Sequence, residues 1–161
     1  MKWSEIKFER RVWVITDERM KIGKEHHIPL TSQALVLLEL MQPHSGHREY
    51  VLPSGRDPRQ PANKEAANMA LKRMGFKGRL VAHGLRALAS TTLNEQGFDH
   101  DVIEAALAHS DKDKIRAAYN RATYLERRKI MMQWWSNHVE QSAMGNMSLT
   151  KANKILKFVN K

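Results

Sequence analysis

Arg11-Val12-Trp13-Val14-Ile15-Thr16, then a polar run from Asp17 to Glu25, then His26-His27-Ile28-Pro29-Leu30, reads as two antiparallel strands and their connection. β-branched and aromatic residues crowd the first segment, as a pleated, half-buried surface favours. Gly23 sits in the polar run, where the chain turns back. Pro29 ends the returning strand because it has no N–H to give to a ladder. Upstream, Trp3 to Phe8 predicts a first short strand, and Tyr50-Val51-Leu52-Pro53 predicts a third or fourth.

Beyond Leu30 the spacing of apolar residues becomes helical. Thr31 or Ser32 can cap a helix through Leu35, Leu38 and Met41 to Pro43. Ser45 to Pro61 reads as loop, punctuated by Gly46, Gly55, Pro53, Pro58 and Pro61. A helix is predicted from about Ala62 to Met74, ended by Gly75, and another from near His83 to before Gly97. Asp99 or Asp101 caps a short helix carrying Val102, Ile103, Ala106 and Leu107. Residues 124–138 form an amphipathic helix through Leu125, Met132 and Trp135, with Trp134-Trp135 read as core. Ser142 to Ser148 reads as a linker and Leu149 to Val159 as a last short helix. The predicted fold is α+β: a small N-terminal antiparallel sheet packed on a mainly helical domain over residues 1–141, then a linker and helix over 142–161.

The 161 residues suffice for one domain with a core, and 42% hydrophobic with 27% charged content is that of a globular protein. No apolar run reaches the roughly 20 residues that cross a bilayer, so no membrane partner is expected. The opening Met1-Lys2-Trp3-Ser4-Glu5 lacks the apolar stretch of a signal peptide. The absence of cysteine excludes disulfides and thiolate chemistry and fits a cytoplasmic protein. The net charge of +10 is uneven: residues 1–60 carry 10 Lys and Arg against 8 Asp and Glu, residues 61–161 carry 17 against 9. Such a field draws polyanions, of which nucleic acid is the commonest large one, although a well-solvated basic surface has the same composition.

The basic half holds His83-Gly84-Leu85-Arg86, then His109, then Tyr119. A tyrosine hydroxyl is a weak nucleophile at neutral pH, because its ordinary pKa is about 10. Cationic donors beside it stabilise the phenolate and the charge that grows on phosphorus. On a helix His83 and Arg86 lie about 60° apart, off the centre of a stripe formed by Val81, Leu85, Leu88, Ala89 and Thr92. The stripe is expected to fix the backbone while both polar groups face a groove. Arg86 offers a planar fork to two phosphate oxygens, and His83 can exchange a proton near neutrality. Each residue alone has a plainer reading: a solvated helix face for His83 and Arg86, a C-terminal cap for His109, a half-buried core phenol for Tyr119. Arg116 and Arg121 flank Tyr119; Tyr124 is a rival nucleophile that the pattern places in packing. Lys64, Lys72, Arg73, Lys77 and Arg79 form a basic run that reads equally as phosphate contacts or as a solvated face. His26 and His27 adjoin on a strand and point to opposite faces, and His44 and His47 share a loop without a carboxylate cluster, so no metal site is expected.

Taken together these motifs resemble the tyrosine recombinases, the phage integrase family. Ala82-His83-Gly84-Leu85-Arg86, Leu107-Ala108-His109-Ser110 and Ala118-Tyr119-Asn120-Arg121 match the family's H-x-x-R, second histidine and tyrosine in order and spacing. Leu125-Glu126-Arg127-Arg128 through Met132-Gln133-Trp134-Trp135 looks like integrases of prophages and genomic islands. Trp13-Val14-Ile15, Met20-Lys21 and His27-Ile28-Pro29-Leu30 resemble the hairpin that carries the family's lysine, with Lys21 eight residues before Pro29. The resemblance covers roughly residues 3 to 138. It implies that Tyr119 attacks a DNA phosphodiester to form a 3′-phosphotyrosine link and release a 5′-hydroxyl. Arg86, His83 and His109 would stabilise the transition state, Lys21 would protonate the leaving oxygen, and His83 would assist proton transfer. No cofactor, ATP or metal is implied. The implied partners are double-stranded DNA attachment sites and, for a full-length integrase, a homotetramer on DNA.

One departure from the family pattern is present. The family carries another arginine, followed by an acidic residue, on a helix just before the first strand. Here Met1-Lys2-Trp3-Ser4-Glu5-Ile6 matches the segment after that arginine, and Arg10 and Arg11 sit at the wrong place to replace it. The expectation is a piece of a longer integrase or the product of a decayed gene, weak or inactive alone. Losing one transition-state donor costs roughly 10²–10³ in rate. The rival readings are a DNA-binding module without catalysis, including a truncated integrase that only occupies sites, and an assembly domain acting through its last helix.

Overall fold

Val12 to Ile15 pair along their whole length with one neighbouring strand, and Val12 and Trp13 with a second as well, and this organises the first half of the chain. Strands β1 (Ile6–Lys7), β2 (Val12–Ile15) and β3 (His26–Pro29) form one antiparallel sheet in that order. The register pairs Ile6 with Trp13, Val12 with Pro29 and Val14 with His27. The structure, a computed structural model, describes residues 1–20, 23, 25–108 and 114–144, of which 114–123 by their helical backbone alone. The linker and helix expected over residues 145–161 lie outside the described residues. Two units are formed, Met1–Ala87 and Leu88–Lys161.

In the first unit, helix α1 (Ser32–Ser45) follows the sheet directly. Thr31 caps it, its hydroxyl accepting the Ala34 N–H at 3.3 Å. Leu38 from α1 joins Ile6, Leu30 and Val51 in the core, with Trp3, Trp13, Leu35 and Met41 packed against them. Pro43 falls within the last turn of α1, so the helix runs two residues past the predicted end and includes His44 rather than leaving it in a loop. The predicted strand from Trp3 to Phe8 is shorter than expected: Trp3–Glu5 is a 3-10 turn, because the Glu5 carboxylate takes the Lys2 N–H at 2.9 Å and folds the chain back. Glu5 is buried and also accepts the Trp13 indole N–H at 3.0 Å and an ion pair from Arg19. Burial opposes its ionisation, but these donors outweigh it and hold the carboxyl below its ordinary range. The strand expected at Tyr50–Pro53 is reduced to single bridges, Lys2 to Tyr50 and Pro53 to Pro61. Proline on both sides of the second bridge, Pro53 and Pro61, leaves too few N–H groups for a ladder.

Helix α2 (Ala66–Leu71) widens into a π turn over Lys72–Phe76, within which Gly75 adopts φ +89°. Helix α3 (Ala82–Glu95) contains the boundary between the units. Its apolar stripe is not buried as expected: Val81, Leu85 and Leu88 are 53%, 44% and 44% exposed. Only its far end enters a core, through Thr92 and Leu93.

In the second unit α3 ends in a Schellman motif. Gly97 adopts φ +75°, its N–H donates to the Asn94 carbonyl, and the Phe98 N–H donates to that of Leu93. This brings Phe98 beside Leu93 in one apolar cluster. Helix α4 (His100–Ala106) is capped by Asp99, whose carboxylate accepts the Asp101 N–H at 2.9 Å. Helix α5 (Lys114–Ala143) runs ten residues further upstream than the predicted start at 124. Val102, Ile103, Leu93 and Met131 form the buried centre, with Trp134 and Trp135 packed against it as expected. No helix among the described residues is long and apolar enough to cross a membrane.

Two consequences are measurable. Ala108 ends the turn after α4 at φ +52°, a conformation that costs an L-residue roughly 1–2 kcal/mol. Ala108→Gly relieves this while loosening the unfolded chain, a net gain of up to about 1 kcal/mol in thermal denaturation; a loss of stability contradicts the assignment. His138 is buried and stacked against Trp134 and Trp135, at ring distances of 5.0 and 5.6 Å, with no hydrogen-bond partner for either nitrogen among the described residues. Burial pushes its imidazole below the ordinary value. The unfolded chain therefore binds this proton more readily, so the stability it contributes is complete above about pH 6.5 and is lost as pH falls below it. The melting temperature declines from about pH 7.5 to about pH 5.5, and His138→Phe, which keeps the ring stack, removes part of that decline. Identical profiles for both proteins count against this.

Candidate active site

His83 and Arg86 occupy the first two turns of α3, where 3.6 residues per turn sets them about 60° apart. His83 is exposed and Arg86 half-buried. What starts the helix there is a contact that sequence spacing does not show: the Ala82 N–H donates to the Asn68 side-chain oxygen on α2 at 2.8 Å. The first N–H groups of a helix have no partner within it, so an acceptor from another helix fixes where it begins. Asn68, fourteen residues upstream, thus sets the position of His83 and Arg86. The only trace of it in the sequence is an amide side chain on a helix that needs none.

The basic run leads into the same helix. Lys72, Arg73, Lys77 and Arg79 are all exposed, on the π turn and the segment after it. Arg79 lies over the Phe76 ring at 6.0 Å, which keeps its guanidinium on the surface beside an apolar support. Cations held outward in this way are available to an extended anion.

Tyr119 lies on α5 in the second unit, with Arg116 and Arg121 on the same helix. Around a helix axis, position 116 is about 60° from position 119 and position 121 about 160°. Lys21 and His109 lie outside the described residues. Tyr124 is half-buried and its hydroxyl donates to the Asp101 carboxylate at 3.2 Å. A carboxylate beside a phenol is the opposite of the cationic surroundings an attacking phenol needs, so the packing role predicted for Tyr124 stands. Arg128, by contrast, is buried, and burial pushes its guanidinium below the ordinary value; one of its nitrogens reaches the Ala105 carbonyl at 3.5 Å.

The sequence compares with known proteins as follows. The prophage integrase IntA of Escherichia coli (strain K12) is 52% identical over 154 residues, which cover 96% of this chain and 37% of IntA. The integrase of Enterobacteria phage P4 is 32% identical over 176 residues, covering 99% of the chain and 40% of that protein. The prophage integrase IntZ of Escherichia coli (strain K12) is 38% identical over 146 residues, covering 90% and 36%. The chain thus spans about two fifths of the length of these relatives. No solved structure matches it significantly. The model of the phage integrase family matches residues 1–126. With most of its length matched, and with an α+β architecture of three antiparallel strands and five helices among the described residues, the chain belongs to the phage integrase family.

Proposed function

We propose that this chain is the catalytic region of a tyrosine site-specific recombinase that integrates or excises a mobile element, acting through Tyr119. The observation that carries the reading is the pairing of His83 and Arg86 at the start of α3, in a family member whose sequence continues to His109 and Tyr119 at the family spacing. In the reaction the Tyr119 oxygen attacks a phosphodiester phosphorus. The bond from phosphorus to the 5′-oxygen breaks, and the protein keeps the DNA by a 3′-phosphotyrosine link. The phenol proton passes toward His83, and Lys21 supplies a proton to the departing 5′-oxygen. Arg86, with His83 and His109, carries the charge of the crowded phosphorus. A 5′-hydroxyl from a second strand then reverses the step, and no external energy is spent because the ester bond is conserved.

Lys72, Arg73, Lys77, Arg116 and Arg121 act in this reading as phosphate contacts that hold a double-stranded attachment site. The assembled enzyme is a homotetramer on DNA, working in the bacterial cytoplasm. Residues 1–141 form the catalytic domain and 142–161 a linker and helix for assembly.

Duplexes nicked near the cleavage point, with randomised sequence, trap slow cleavage because the short released fragment diffuses away. The expected outcome is a protein–DNA adduct stable to detergent, absent in Tyr119→Phe and formed roughly 10²–10³-fold more slowly in Arg86→Ala. DNA binding without an adduct overturns catalysis by this chain alone and leaves it acting as a binding module. Binding itself is expected to weaken with salt, and Lys72→Ala or Arg73→Ala to reduce the slope by about one each; an unchanged slope removes these residues from the interface.

A further inference from the structure

α4 is only two turns long and cannot hold itself in place. Its apolar contact through Val102 and Ile103 with Met131 keeps it against α5 but has no preferred direction. Direction comes from three polar contacts made by one face of α5. Tyr124 donates to Asp101 at 3.2 Å and Arg127 to Asp99 at 2.9 Å, both at the start of α4. Arg128 reaches the Ala105 carbonyl at 3.5 Å, at the end of α4. Positions 124, 127 and 128 share a face because they are three and four residues apart. The Arg127 guanidinium also lies 5.8 Å from the centre of the Tyr124 ring, so the two side chains brace each other.

We propose that Tyr124, Arg127 and Arg128 are positioning residues: by gripping both ends of α4 they fix the helix bearing Tyr119 against the one whose chain continues into His109. The inference rests on the reading of Tyr119 and His109 as reacting groups. Tyr119 precedes Tyr124 by five residues on a continuous helix, about 7.5 Å along its axis. A change of pitch at the grip therefore reaches position 119. An exposed ion pair such as Arg127 with Asp99 adds little to stability. Its effect is on angle, and a misplacement of about 1 Å can cost a reaction of this kind 10²-fold.

The chain contains no cysteine, so His109→Cys and Tyr119→Cys take two nitroxide labels without background. Pulsed electron resonance on the labelled 161-residue chain is expected to give one narrow distance. Adding Tyr124→Phe with Arg127→Gln broadens it while the thermal midpoint stays nearly unchanged, and Arg127→Lys in place of Arg127→Gln restores it. An unchanged distribution, or equal broadening with Arg127→Lys, overturns the proposal. In the unlabelled chain, Tyr124→Phe with Arg127→Gln slows adduct formation by roughly tenfold to a hundredfold at equal DNA affinity; an equal rate also overturns it. A wild-type chain that forms no adduct at all contradicts catalysis by this chain alone, while the distances still judge the grip.

Discussion

Ile103 is wholly buried, and its contact with Met131 is the interaction on which the second half of the molecule turns. Fully burying such a side chain is worth about 1.5–3 kcal/mol, which is large against the intrinsic instability of a two-turn helix. α4 exists because α5 covers it. Leu93 and Phe98 reach the same cluster through the backbone reversal at Gly97, and the indoles of Trp134 and Trp135 extend it along α5. Around this apolar centre the polar side chains are free to do something other than supply stability. Asp99 both caps α4 and receives Arg127; burial opposes its charge, yet these donors hold its carboxyl below the ordinary range.

The first half depends on a different device. Glu5 is a buried carboxylate that survives because an indole, a backbone N–H and a guanidinium all point at it. It ties the turn before β1 to Trp13 on β2 and to Arg19 in the segment after β2. On the same unit α2 hands an acceptor, Asn68, to the first N–H of α3. A helix whose start is set from outside presents its first two turns in one place, and those turns carry His83 and Arg86. Preorganised positive groups act on developing charge without reorganising, and this is the property that phosphoryl transfer by a phenol requires.

The hairpin of β2 and β3 was legible because β-branched residues alternate across a polar connection with a glycine. The caps at Thr31 and Asp99 were legible because short polar side chains precede apolar periodicity. The Tyr50 segment misled because its composition resembles a strand, whereas prolines limit it to single bridges. The first third of α5 was not legible because Arg116 to Thr123 carries no apolar stripe, although its residues favour a helix. The stripe on α3 was legible as a pattern but not as burial, since Val81, Leu85 and Leu88 stay exposed. Of the chemistry, residue types and order could be read directly. Asn68, the Glu5 cluster and the α5 side chains that grip α4 could not, because each acts on a partner that spacing along the chain does not reveal.

The central claim is that the phenol of residue 119, and no other group, becomes joined to DNA. Protease digestion of the adduct followed by tandem mass spectrometry of the nucleotide-bearing peptide tests it most directly. The expected result is a 3′-phosphonucleotide on Tyr119 and a free 5′-hydroxyl on the released strand. A nucleotide on Tyr50 or Tyr124, or a link through a 5′-phosphate, would contradict it.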